Sequence, residues 1–331
     1  MIAPVPAEWS PHRALWLGFP SHADLWEGNL EPAQHEVAAL ARALAGPGRE
    51  QVRLMACGDE AVRTAREHVG GIADIEIFPD DFGDVWLRDT GPIFTAPGSA
   101  AGFRFNGWGG KYDLPHDDTV ADRLAAAAQV ALTRYDFVLE GGALDHDGKG
   151  TMLTTRQCLL NPNRNLGWRE GDAERALADA LGARKVLWLD QGLMNDHTDG
   201  HVDNLARFVA PGVVVCPMAF GVDDPNAAIY DKVAETLAGF TDADGERPRV
   251  VRMPSPGRLM DQDHHVTPAS HMNFLIANGA VIMPTYEDFA SRFALEVLKY
   301  LFPDRQVIGL PSRALLSGGG SFHCISQQET A

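Results

Sequence analysis

One cysteine, Cys324, leaves a glycine-rich turn late in the chain, within Ser317-Gly318-Gly319-Gly320-Ser321-Phe322-His323-Cys324-Ile325-Ser326. Consecutive glycines cost conformational entropy on ordering, so they mark a place where the backbone bends sharply or lets a ligand come close. A thiol delivered there can serve as a nucleophile, whereas the ordinary reading of a single cysteine is a small buried hydrophobe. Complementary chemistry lies elsewhere. His201 and Asp203 stand two apart in Asp199-Gly200-His201-Val202-Asp203, beside the strand-like Leu205 to Ala210. Alternation along an extended backbone predicts that both side chains address one ligand. Asp89 follows Trp86 by three residues in Val85-Trp86-Leu87-Arg88-Asp89. A carboxylate near an aromatic face suits a planar cation such as a guanidinium, which takes a bidentate hydrogen bond and stacks. The bland alternative is a core tryptophan beside a surface Arg88-Asp89 pair. Glu140, in Glu140-Gly141-Gly142, ends the apolar run Phe137-Val138-Leu139. It is either a ligand contact at a strand end or the first solvated residue beyond it.

A metal reading competes for some of the same residues. Asp196, His197, His201 and Asp203, and then Asp261, Asp263, His264 and His265, are all potential ligands, yet they match no HExxH motif or other spacing with a defined coordination geometry. A metallohydrolase is therefore an alternative without a motif behind it.

With 45% hydrophobic and 22% charged residues, the 331-residue chain has the balance of a soluble globular protein able to bury a large core. Its formal net charge of -17 argues against nucleic acid or an anionic membrane as partner and suits a cationic substrate. Met1 to Trp9 lacks the basic and apolar regions of a secretory signal, and no apolar run approaches the ~20 residues needed to span a bilayer. Cys57, Cys158, Cys216 and Cys324 form no CxxC pair, which suits a reducing cytoplasm better than a zinc site or a disulfide framework. Cys57 and Cys216 close the strand-like runs Val52 to Ala56 and Val213 to Val215 and read as core. Composition leaves a homo-oligomer open.

Positioning these residues requires repeated elements. Helical apolar periodicity runs over about Pro32 to Leu44, Thr119 to Val130, Asp172 to Leu181, Pro225 to Leu237 and Tyr286 to Leu301. A β-rich run follows each one: Gln51 to Cys57, Arg134 to Leu139, Arg184 to Leu189, Arg249 to Met253 and Gln306 to Leu310. An extra helix, Asp59 to His68, and the strand Ile75 to Phe78 enlarge the first unit. Strand pairs around Asp147-Gly148 and Asn278-Gly279 separate later units. The order of elements predicts five repeated ββαβ-type modules forming a ring, a single α/β domain over residues 1–331. A plain two-domain α/β layout is the alternative, but no linker marks its boundary. After each helix-strand pair comes the turn-rich sequence that holds the chemistry, so in a ring the five loops meet on one axis.

Taken in order, several motifs together resemble the agmatine deiminase and bacterial peptidylarginine deiminase family. They are Trp86-Leu87-Arg88-Asp89-Thr90-Gly91-Pro92, Leu139-Glu140-Gly141-Gly142, Asp199-Gly200-His201-Val202-Asp203-Asn204 and Gly318-Gly319-Gly320-Ser321-Phe322-His323-Cys324-Ile325-Ser326-Gln327-Gln328. Pro6-Ala7-Glu8-Trp9 and Phe105-Asn106-Gly107-Trp108-Gly109-Gly110 are similar to its N-terminal motifs. The resemblance implies a five-bladed pseudo-symmetric α/β-propeller and a cofactor-free guanidine deiminase. Cys324 would attack the guanidinium carbon, His201 would serve as general acid and then base, and Asp89 and Asp203 would grip the nitrogens. Trp86, Glu140, Gly319 and Gly320 would contact substrate. Agmatine is the expected substrate, with free arginine or a peptidyl-arginine C-terminus as alternatives. An amidinotransferase and a non-catalytic guanidine- or polyamine-binding module are the competing activities. The chain departs from agmatine-specific members at Trp16 to Ser21, in the short stretch after Gly110, and at His271, where an aromatic is usual.

Overall fold

Parallel strands cannot be joined by a tight turn, so each parallel pair in this chain needs a crossover, and in every case the crossover is a helix. The computed structural model describes residues 2–26 and 28–331; Met1 and Glu27 lie outside the described residues. Four units share one build: an antiparallel hairpin, a crossover helix and a strand parallel to the second arm of the hairpin. In the second unit Ile93–Ala96 pairs antiparallel with Ser99–Arg104, and helix Val120–Ala128 leads to Ala131–Val138. The third comprises Asp145–His146, Thr151–Thr155, helix Glu170–Leu181 and Lys185–Leu189. The fourth comprises Arg207–Ala210, Val213–Met218, helix Ala227–Ala238 and Arg249–Pro254. The fifth comprises Leu275–Ile276, Ala280–Thr285, helix Ser291–Leu301 and Gln306–Pro311.

The first unit is built differently. His12–Gly18, helix Leu30–Ala45 and Val52–Ala56 are extended by helix Gly58–Val69 and strand Ile75–Pro79. Its antiparallel partner comes from the far end of the chain, where Ser326–Thr330 pairs with His12–Gly18. That pairing closes the ring into a five-bladed α/β-propeller, as the repeat predicted.

Burial follows the sequence pattern. Helix Leu30–Ala45 hides Ala33, Val37, Leu40, Ala41 and Leu44 on one face, which is the 3.6-residue stripe of an amphipathic helix. Helix Glu170–Leu181 buries Ala173, Leu177, Ala180 and Leu181 and ends at Gly182, whose φ of 69° is the left-handed cap that glycine supplies at least cost. The middle strand of the fourth unit is buried along Val214, Val215 and Cys216, as expected where a helix covers one face and a neighbouring blade the other. Apolar clusters thus fill each blade, while charged side chains from different units meet at the centre.

Two expectations need correction. The last crossover helix begins at Ser291 rather than Tyr286: Glu287 stands at a left-handed φ of 60°, through which a right-handed helix cannot run, and Asp288 accepts the Ser291 N–H at 2.6 Å. Cys216 is core, but Cys57 is half-buried at the start of helix Gly58–Val69, with Sγ 3.8 Å from Asp81 Oδ1. Among the described residues no helix is long and apolar enough to cross a membrane.

Candidate active site

Each unit ends in a loop at the C-terminal end of its last parallel strand, and these loops bring Asp89, Glu140, His201, Asp203 and Cys324 together. Cys324 is anchored by its neighbours. Asn273, from the fourth loop, accepts the backbone N–H groups of His323 at 2.9 Å and Cys324 at 3.3 Å on Oδ1, and holds Nδ2 3.1 Å from Sγ. The Cys324 carbonyl accepts the Arg88 N–H at 3.1 Å. The glycine run has a steric reason: a Cβ on Gly320 would lie 2.5 Å from the Trp86 ring and 3.1 Å from Cys324 Cβ, and Gly319 has φ 112°. Trp86 is fixed in turn by its indole N–H, which donates to Asp84 Oδ2 at 2.7 Å, and by stacking on Trp26 with centroids 6.3 Å apart.

The two aspartates are held by different partners. Asp203 Oδ2 lies 3.6 Å from Cys324 Sγ, 2.9 Å from His323 Nδ1 and 3.4 Å from Asn273 Nδ2. Its other oxygen, Oδ1, is buried with no hydrogen-bond partner. Asp89 accepts the Trp108 indole N–H at 2.9 Å and the Gly142 N–H at 2.9 Å, with His201 Nδ1 at 3.8 Å. His201 is fully buried, and neither of its ring nitrogens has a hydrogen-bond partner. Gly142 permits this approach, since a Cβ there would stand 2.5 Å from His201 Nδ1.

Three readings change. His201 and Asp203 face one site, but Val202–Asn204 is a tight 3-10 turn rather than extended backbone, so the turn and not strand alternation brings them together. Asp89 and Arg88 are both buried, and Arg88 donates to the His323 carbonyl, Gln327, Gln328 and Ser326 instead of forming a surface pair with Asp89. Glu140 is buried too, with Arg164 Nε 2.6 Å from its Oε1, so it is not a solvated strand end. His271 is buried, its Nδ1–H donating to the Pro254 carbonyl at 2.8 Å, its Nε2 3.0 Å from Ser291 Oγ and its ring stacked on Tyr286. The short segment after Gly110 places Lys111 2.6 Å from Asp199 and Tyr112 Oη 3.0 Å from His197 Nδ1.

Electrostatics separate the groups. Burial, followed by the Asp203 and Asp89 carboxylates, pushes the Cys324 thiol well above its ordinary value. Burial also raises Asp89, against the pull of His201. Burial works against the charge on Asp203 as well, yet the hydrogen bond from His323 and the nearby cations hold its carboxyl below the usual range. For His201 burial favours the neutral ring, but Asp89, contact with Cys158 and Glu140 outweigh it and raise the imidazole well above 6.5. These influences favour the thiol form of Cys324, the ionised form of Asp203 and the protonated form of His201.

Asn273, His323, Trp108, Arg164 and Cys158 surround these groups and were not singled out from sequence. Arg164 had a signal: it lies in the turn-forming run Asn161-Pro162-Asn163-Arg164-Asn165. The others are ordinary polar or core-compatible types whose partners are distant in the chain.

Gly319, one residue before Gly320, lines a cavity of 640 Å³ together with Asp196, His197, Asp261, Asp263 and His265. No lysine or arginine lines it among the described residues.

The sequence model of the Porphyromonas-type peptidyl-arginine deiminase family matches residues 4–329. An agmatine deiminase of Pseudomonas aeruginosa is 38% identical over 99% of this chain and 95% of its own length. The solved structure of the agmatine deiminase of Enterococcus faecalis, described as catalysing its reaction, superposes with a TM-score of 0.91 at 31% identity, covering 98% of this chain and 95% of that one. A cysteine-to-serine variant of C. jejuni agmatine deiminase with substrate bound superposes with a TM-score of 0.89 at 28% identity, over 100% and 97% of the two chains.

Proposed function

The chain belongs to the Porphyromonas-type peptidyl-arginine deiminase family, and from that premise we propose that it is a guanidine deiminase converting agmatine and water to N-carbamoylputrescine and ammonia, with the whole chain as one catalytic unit in the cytoplasm. The observation that carries this reading is the Cys324 thiol 3.6 Å from Asp203, in a pocket whose remaining polar atoms, Asp203 Oδ1 and both nitrogens of His201, lack partners. Such atoms fit a ligand that is planar, cationic and rich in N–H groups.

A guanidinium seated between Asp89 and Asp203 supplies the missing donors and holds its carbon near Sγ, which is the positioning share of catalysis. Its charge also offsets the two carboxylates that keep Cys324 protonated, so binding favours the thiolate. The thiolate adds to the guanidinium carbon, forming the S–C bond of a tetrahedral adduct. His201 gives its proton to one nitrogen, the C–N bond breaks and ammonia leaves, forming a covalent S-alkylthiouronium. His201 then takes a proton from water as the water oxygen bonds to the same carbon. Collapse breaks the C–S bond, returning the thiolate, while the adduct's remaining hydroxyl proton passes to solvent and the neutral ureido product leaves. Trp86 stacks on the substrate, and Glu140 acts on the pocket through the imidazole it flanks. Gly319 and Gly320 leave room for the alkyl chain. The acidic wall of the adjoining cavity favours agmatine's amine over the carboxylate of arginine or of a peptide C-terminus.

Assaying ureido product and free ammonia from agmatine, free arginine and a C-terminal-arginine peptide, without any acceptor amine, tests the reading. Agmatine is expected to give the highest kcat/KM with one ammonia per ureido product. Preference for arginine overturns the tail assignment, and absence of ammonia without an added amine favours amidino transfer.

A further inference from the structure

Glu140, Cys158 and His201 bring a carboxylate oxygen, a thiol sulfur and a ring nitrogen within 4.8 Å of one another, all in buried residues. Cys158 touches the His201 imidazole but forms no bond and passes no proton in the turnover described above. It is held by the short helix Arg156–Leu159, whose N-cap Thr155 accepts the Cys158 N–H at 3.2 Å. One sulfur, one imidazole and one carboxylate make a donor set that suits a borderline-soft divalent ion such as zinc, rather than magnesium or calcium. Around zinc, bonds of roughly 2.0–2.3 Å put ligand atoms about 3.3–3.8 Å apart, so the trio need close by only about 1 Å.

Two further features favour occupancy. Both nitrogens of His201 lack hydrogen-bond partners, so an ion there displaces none. The neighbouring guanidinium of Arg164 does not repel the ion unopposed: it contacts both Glu140 and Asp199 at 2.6 Å. Ligation requires the Cys158 thiol and the His201 imidazolium each to release a proton to solvent, so two positive charges leave as the ion's two enter and the net charge of the interior is unchanged.

We propose that Glu140, Cys158 and His201 form an inhibitory site for a zinc-like divalent cation, which takes the imidazole lone pair that proton transfer requires. The effect on turnover rests on the role given to His201 above; the binding does not. The ion is a brake and not a cofactor, so the chelated protein is the fully active one.

Cadmium serves as the spectroscopic stand-in, since its thiolate complexes absorb in the near ultraviolet. In a Cys324→Ser protein, where the rival thiol is gone, titration with cadmium is expected to develop a thiolate charge-transfer band. Adding Cys158→Ser, or Cys158→Ala should serine unsettle the fold, is expected to abolish it; Cys57 and Cys216 are present throughout and cancel. With Cys324 intact, zinc lowers agmatine turnover and EDTA restores it. Measured against its own zinc-free rate, whatever that rate is, Cys158→Ser needs at least about tenfold more zinc for half inhibition. A band that survives loss of Cys158 overturns the site, as does zinc inhibition unchanged by Cys158→Ser, which places the ion on Cys324. A band that requires Cys158 together with zinc-insensitive turnover overturns the brake and the proton-transfer role of His201, while the product assay still judges the activity itself.

Discussion

Two buried polar clusters lie one side chain apart near the middle of the ring, joined by His323, which reaches Asp203 through Nδ1 at 2.9 Å and Glu8 through Nε2 at 3.3 Å. On the Glu8 side, Arg207 donates to Asp145 at 2.9 Å, to the Met272 and Phe274 carbonyls at 3.1 and 2.9 Å, and to Glu8. Glu8 also accepts the Ile276 N–H at 2.7 Å, and although burial opposes it, Arg207 and His323 hold its carboxyl well below the usual range. On the Asp203 side, three buried polar atoms of His201 and Asp203 have no partner. Leaving a buried donor or acceptor unmade costs about 1–3 kcal/mol each. The difference separates these two clusters: Glu8, Asp145 and Arg207 meet their charges with protein groups, whereas His201 and Asp203 leave three atoms for a substrate to meet.

The largest expected effect tests the unsaturated side. Cys324→Ser should lower turnover at least ~10⁴-fold, roughly 5 kcal/mol on the barrier, with a urea midpoint close to that of the parent. Substantial residual deiminase activity would remove the nucleophile from the reading. The next concerns the saturated side, where Arg207→Met leaves Glu8 and Asp145 buried without their cation. Breaking such a group costs about 3–5 kcal/mol, read from equilibrium urea unfolding. A loss below about 1 kcal/mol would erase the distinction between the clusters.

The smallest effect sharpens the comparison with a third region. Asp117 accepts the Gly83 and Asp84 N–H groups on Oδ1 at 2.7 and 3.3 Å, while its Oδ2 is buried without a partner and without a ligand to come. Burial raises it to about 7, and raises the adjacent Asp84 to about 6. Here the raised value favours a retained proton at a pH where an exposed aspartate has lost its own. Between the unfolded value of 3.8 and the folded value near 7 the native state binds the extra proton, so the stability present below pH 4 is lost as pH rises through that window. Each such group gives a slope of roughly 1 kcal/mol per pH unit. Asp117→Asn keeps the Oδ1 acceptor and should flatten the profile of urea stability against pH; an unchanged profile would show that Asp117 is ionised throughout.

Much of this arrangement was legible in the residues. Helices such as Leu30–Ala45 and Glu170–Leu181 announced themselves because their apolar stripes repeat with the helical period, and Gly182 marked an end. The loops were legible because clusters of Asp, His and Gly break the apolar run that a buried strand needs, and such clusters follow each apolar strand. Contact partners were less so. Asn273 and Cys324 are 51 residues apart and Glu8 and Arg207 199 apart, and no local pattern predicts such pairs. For His201 and Asp203 the conclusion held while the geometry did not, since spacing by two fits a strand and a 3-10 turn alike. Cys158 was invisible for a simpler reason: a cysteine in Arg156-Gln157-Cys158-Leu159-Leu160 looks like any core residue until His201 is seen beside it.

The pairing of Ser326–Thr330 with His12–Gly18 begins two residues after Cys324. Four of the five reactive groups, Asp89, Glu140, His201 and Asp203, reside in earlier loops, but the thiol reaches them on a segment whose neighbouring strand is the opposite end of the polypeptide. Closure and reactivity therefore share one seam: the strand pairing that seals the circle also fixes the segment that carries the thiol.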